Sequence, residues 1–200
     1  MHELILQDPI FYACTIAIVI VSIVLHELAH GFAAISQGDR TPIERGHITL
    51  NPVVHMGWAS LIILCIVGLA WGQMPVRPDR FRDPKWGEAI VAGAGPSMNF
   101  VLAVLAMAVL NIVSEPAMLR VFYFAAFVNW QLFFLNLLPV PPLDGFKVFS
   151  EIIPGLRSLE RSPQARAAVP FLLILGVGRV LSPIARALIC LGVPSLSVCF

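Results

Sequence analysis

Apolar residues in this chain neither alternate with polar ones nor recur at helical spacing; they come in long, nearly unbroken blocks. The first runs from Ile10 to about Ile35, the second from Val53 to Met74 and the third from Ala89 to Val113. The fourth runs from Val121 to about Leu138 and the fifth from roughly Ala167 to Val193. A membrane-spanning helix needs about 20 mostly apolar residues. The blocks therefore predict an all-α polytopic membrane protein with about four to five transmembrane helices. Two blocks are irregular. The second carries Gly57, Gly68 and Gly72 and is bordered by Asn51-Pro52, and the fifth is interrupted by Gly176, Gly178, Arg179, Pro183 and Arg186. No cluster of positive charge precedes the first block and no small-residue cleavage site follows it, so no removable signal peptide is expected.

Three polar segments separate the blocks. Gly38–Pro52 is short and β-like around Gly46–Leu50, Val76–Glu88 reads as a loop, and Pro139–Arg166 opens on a proline-rich turn before a short amphipathic helix near Phe146–Ile153. One integral-membrane domain over residues 1–200 is expected, with a core at about 10–155 and a C-terminal membrane segment at about 167–193. Composition agrees: charged residues make up 12% of the chain, half the usual share of about 25%, and mean hydropathy is +0.85. A net charge of +1 leaves no basic footprint for nucleic acid. The four cysteines are scattered without a CxxC pair, which supports neither a disulfide framework nor a zinc–thiolate site.

An ionisable residue inside a membrane helix costs about 3 kcal/mol on insertion scales, yet the first block holds three within His26-Glu27-Leu28-Ala29-His30. Residues i and i+4 share a helix face, so both imidazoles can reach one metal ion, and Glu27 is placed to take a proton from a metal-bound water. This is the HExxH arrangement of zinc hydrolases. The competing reading is of polar helix residues packed against partners. A third ligand is needed. Asp144 stands out between Asn136-Leu-Leu-Pro139-Val-Pro141-Pro142-Leu143 and Gly145; alone it could equally cap the helix near Phe146.

Together, HELAH and NLLPVPPLDG resemble the site-2 protease family of intramembrane zinc metalloproteases, in its compact bacterial and archaeal subgroup without PDZ or CBS domains. Gly46–Gly57 (GHITLNPVVHMG), Phe81–Glu88 and Ala94-Gly-Pro-Ser-Met-Asn99 extend the likeness over roughly residues 15–155. The resemblance implies one Zn²⁺ per chain held by His26, His30 and Asp144, with Glu27 as general base and Asn99 positioning substrate or the oxyanion. It implies hydrolysis of a peptide bond in or next to a transmembrane helix of a protein substrate, within a lipid bilayer. Localisation in a bacterial inner (plasma) membrane is expected, with any regulatory input supplied by other chains. Asn136 matches the helix asparagine of the DG motif and is expected to be structural; His55 matches a recurrent histidine, and no metal role is assigned to it or to His47. The alternatives are a metal-binding membrane transporter, which has no need of a Glu between the histidines, and a non-catalytic membrane scaffold, which has no reason to keep all four site residues.

Parity adds a topological expectation. His30 lies near the end of the first block and Asp144 just beyond the fourth, so sharing a metal requires one intervening run not to cross. The glycine-bearing Val53–Met74 run is expected to be re-entrant or sharply broken, returning to the side it left. Arg40, Arg45, Arg77, Arg80, Arg82, Lys85, Lys147, Arg157, Arg161 and Arg166 then fall on one side, which the positive-inside rule makes cytoplasmic.

Overall fold

The computed structural model describes residues 7–156, 177–194 and 196. Its α-helices are α1 (Pro9–Ser36), α2 (Thr41–Glu44), α3 (Pro52–Val67), α4 (Gly87–Leu110), α5 (Pro116–Asn136), α6 (Asp144–Ile152) and α7 (Val177–Gly192). Among the described residues there is no strand, and Gly46–Leu50 forms turns and bends rather than β structure. Three of the described helices are long and apolar enough to cross a membrane: α1 with 28 residues, α4 with 24 and α5 with 21. The expected fifth span falls partly outside the described residues, and α7 covers only its C-terminal part. Cys190 of α7 is disulfide-bonded, which the scattered cysteines did not suggest, while Cys14 and Cys65 are free.

Helix starts follow local chemistry. Pro9 opens α1, and the Asp8 carboxylate accepts the Phe11 N–H at 2.9 Å. Pro116 opens α5, and Glu115 accepts the Met118 N–H at 2.8 Å. Proline at a first helical position sacrifices only an N–H that has no helical partner, and the carboxylate satisfies another. Arg120 binds Asp8 at 2.7 Å, which brings the starts of α1 and α5 together. These helices therefore run parallel, and α4 packs antiparallel against both, with His30 beside Val91 and His26 beside Asn99. Buried Ala103, Ala106, Ala126 and Ala185 line the α4–α5–α7 contact around Trp130 and Ile189. With no hydrophobic drive between helices in lipid, such small residues gain dispersion energy by letting backbones approach.

The second apolar block does not form one long helix. Helix α3 has 16 residues, about 24 Å at 1.5 Å per residue, against a hydrocarbon core of about 30 Å. It is kinked at Gly57, at φ 68° and ψ 164°, a region open essentially to glycine alone, and it ends on Gly68 in the left-handed region at φ 85°. The chain then runs back along α3. Ser60 Oγ bonds both the C=O and the N–H of Trp71 at 2.7 and 2.9 Å, and the Gln73 N–H donates to the His55 C=O at 2.9 Å.

Both flanks of this block are tied to the C-terminal end of α1. The Arg82 N–H donates to the Gln37 C=O at 2.6 Å, and Arg80 pairs with Glu44 at 3.0 Å. The fully buried Asp39 carboxylate accepts from the Thr41 hydroxyl at 2.5 Å, the Thr41 N–H at 2.9 Å and the Arg77 N–H at 2.7 Å. Burial alone would raise the Asp39 pKa; the donors from Thr41 and Arg77, with the Arg80 charge, outweigh it and hold the carboxyl below its ordinary value. The block thus begins and ends at the same end of α1, folded back on itself.

Candidate metal centre

HELAH lies within a 28-residue helix whose apolar sequence leaves few polar positions, and one helical turn brings the two imidazoles onto one face. Their rings stand edge to face, 4.6 Å apart between centroids. The proline-rich turn after α5 delivers Asp144 to them as the first residue of α6. Gly145 makes this possible: a Cβ there would collide with the backbone of Leu137. The Asp144 carboxylate does not cap its own helix. Its Oδ2 lies 3.1 Å from His26 Nε2 and 3.3 Å from His30 Nε2, and the two Nε2 atoms are 3.0 Å apart. The three residues could hold a metal ion and are buried or nearly so.

The opposite ring nitrogens show that this donor set fits a cation. His30 Nδ1 lies 2.7 Å from the Val91 C=O, and His26 Nδ1 lies 2.6 Å from Asn99 Oδ1. Both partners are acceptors, so each Nδ1 carries the proton and each Nε2 presents a lone pair. Two lone pairs and a carboxylate then converge with no hydrogen between them, an arrangement a divalent cation resolves. Two imidazoles and a carboxylate are also a known catalytic zinc set. The backbone comes close here as well. A Cβ on Gly95 would meet the Nε2 atoms of both His26 and His30, and one on Gly72 would lie 2.6 Å from Glu27 Oε1.

A cavity of about 470 Å³ opens beside the cluster, lined by His26, Glu27, His30 and Asp144 together with Gly72, Gln73, Met74, Asn136 and Lys147. Its wall at residues 70–74 is the returning limb of the re-entrant run. Glu27 therefore faces the same space as the metal donors. Asn136, expected to be structural, also lines the cavity. Asn99 departs from expectation. It is fully buried and lies behind His26, and its Nδ2 donates to Asn129 Oδ1 at 3.0 Å. With both ends of its carboxamide engaged, it is not aimed at an oxyanion. His55 stands apart from the cluster, with Nε2 donating to the Thr49 C=O at 2.7 Å, and His47 donates to the Arg45 C=O at 3.0 Å. Asn129 escaped the sequence reading, and Gly72 and Gly95 entered it only as a block glycine and a motif position, because the contact of each is with a neighbour from another part of the chain.

Comparison with known proteins agrees with this chemistry. The model of peptidase family M50 matches residues 14–118 and 111–177. The chain is 32% identical over 167 residues to YwhC of Bacillus subtilis, spanning 78% of this chain and 76% of that protein. It is 30% identical over 182 residues to Rip2 of Mycobacterium tuberculosis, spanning 84% of this chain and 70% of that protein. Both are provisionally named zinc metalloproteases. A zinc metalloprotease of Methanocaldococcus jannaschii is 27% identical over 154 residues, 74% of this chain and 37% of that protein. No solved structure matches.

Proposed function

The chain belongs to peptidase family M50 and is a zinc metalloprotease built as an integral membrane protein, and from that premise we propose that it hydrolyses a peptide bond within or beside a transmembrane helix of a protein substrate. The observation that carries this reading is the depth of the donors. His26 and His30 sit about 15 and 9 Å from the C-terminal end of α1, at 1.5 Å per residue, inside a helix of spanning length.

In this mechanism His26, His30 and Asp144 would hold the zinc, which when bound would polarise a carbonyl and lower the pKa of water to about 7. Glu27, facing the cavity, takes the proton of the attacking water and passes it to the leaving amine. Asn99 holds the His26 ring in register. A peptide carbonyl inside an intact helix is hydrogen-bonded and shielded, so the substrate unwinds before attack. Its exposed backbone needs partners that lipid cannot offer, and the cavity between α1 and the returning limb of the re-entrant run supplies a shielded, partly polar space.

The test is cleavage of a membrane-helix reporter in reconstituted vesicles, with product termini read by mass spectrometry. Wild type should cut within or next to the hydrophobic stretch. Glu27→Gln should keep about one zinc and lose cleavage; His26→Ala should lose both. Products arising only from soluble segments far from the helix would overturn the intramembrane reading, and activity persisting in Glu27→Gln would remove Glu27 as the base.

A further inference from the structure

His26 and His30 have their Nδ1 protons placed by different means. For His30 the acceptor is a backbone carbonyl, that of Val91. A carbonyl can only accept, so the tautomer is set outright. For His26 the acceptor is the Asn99 carboxamide, which could in principle present either its oxygen or its NH₂. Something else must fix its direction.

The hydrogen bonds continue from Asn99 into α5. Asn99 Nδ2 donates to Asn129 Oδ1 at 3.0 Å, and Asn129 Nδ2 donates to the Ala125 C=O and to Ser22 Oγ, each at 2.9 Å. Ser22, Asn99 and Asn129 are all buried. The Ala125 carbonyl accepts only, so the NH₂ of Asn129 must face it, which turns Oδ1 toward Asn99. Asn99 must then turn its own NH₂ toward Asn129 and its oxygen toward His26. The His26 proton is thereby held on Nδ1, and the Nε2 lone pair points at Asp144 and His30.

We infer that Asn129 is a positioning residue for the metal centre: as an acceptor facing Asn99, it fixes the tautomer of His26 through a two-amide relay anchored on the Ala125 carbonyl. The inference rests on His26 being a zinc ligand. Outer partners of ligating histidines are generally worth 10–100-fold in metal affinity, and Asn129, one step further out, is expected near the lower end.

Two substitutions separate this role from packing. Asn129→Leu suits an apolar helix but offers no acceptor. Asn129→Asp is costly in a membrane helix but offers Asn99 an acceptor and nothing else. If Asn129 only packs, Leu should be the milder change for both stability and zinc. The relay predicts the opposite order for zinc: Asn129→Leu weakens binding about tenfold, whereas Asn129→Asp stays within a few-fold of wild type despite lower thermal stability. Ser22→Ala, which leaves the Ala125 anchor in place, should bind zinc as wild type does.

The experiment is zinc affinity of the full chain in detergent by chelator competition. It is read beside thermal stability and beside the ¹⁵N spectrum of the His26 ring in the metal-free protein. The Nδ1–H form should dominate in wild type and Asn129→Asp and give way to a mixture in Asn129→Leu. Wild-type affinity in Asn129→Leu, or equal loss in Asn129→Asp and Asn129→Leu, would overturn the inference. His26→Ala is run alongside: if it retains wild-type zinc, the assignment of His26 as a ligand has failed instead.

Discussion

A single methyl group added at Gly95 would sit 2.5 Å from His26 Nε2 and closer still to His30 Nε2. Alanine normally improves a helix over glycine by about 1 kcal/mol, so helix propensity argues for the substitution and the metal donors argue against it. Gly95→Ala should lower zinc affinity by tenfold or more, the range seen when groups supporting a ligand are disturbed, without loss of helix content by circular dichroism. Gly93 is the control. A Cβ there would meet only Val148, at 3.9 Å, and Gly93→Ala should bind zinc normally. Equal zinc affinity in the two variants would mean that the α4 backbone does not shape the site.

At the scale of elements, the re-entrant run depends on how its two ends are held, and Asp39 holds both. Its carboxylate accepts from Thr41 at the start of α2 and from the Arg77 N–H beyond the returning limb. In Asp39→Asn an amide NH₂ must face one of these donors, and leaving a buried donor unsatisfied costs about 1–3 kcal/mol. The variant should therefore melt at lower temperature at neutral pH. Because the folded-state pKa of Asp39 lies below its ordinary value of 3.8, its stabilisation is fully present above that value. It is lost as pH falls through the folded-state pKa. The stability difference between wild type and Asp39→Asn should accordingly shrink only below about pH 4, near the unfolded-chain carboxylate value. A difference that vanished already at pH 6 would assign the effect to another group.

For the whole molecule, the fold separates charge. Arg40, Arg45, Arg77, Arg80, Arg82 and Lys85 gather where α1 ends and α4 begins, and at the other end Arg120 is tied to Asp8. Basic residues mark the cytoplasmic side, so the zinc should lie nearer that face and the start of α1 outside. Single cysteines at Ser36 and Asp79, with Cys14 and Cys65 replaced by Ser and the disulfide-bonded Cys190 left in place, should react with an impermeant maleimide from the same face. Labelling from opposite faces would mean that residues 53–74 cross the membrane.

What the chain determined by itself is whatever depends on local order. Block length and hydropathy marked α1, α4 and α5 to within a few residues, and i,i+4 spacing paired His26 with His30. Counting crossings between His30 and Asp144 led to the expectation that one run turns back, and glycine content pointed to residues 53–74, which fold back on themselves. Tertiary structure decided what depends on contacts between distant segments. It set Asn99 behind His26 rather than over the cavity, because α5 offers Asn129 to take up its NH₂. It brought Gly95 against His26 and His30 and Gly72 against Glu27, and it turned Asn136 into the cavity wall. Periodicity reports which face of a helix is apolar; it carries no information about which polar group on a neighbouring helix meets a buried amide, and the direction of that amide's hydrogen bonds is settled only when the helices pack.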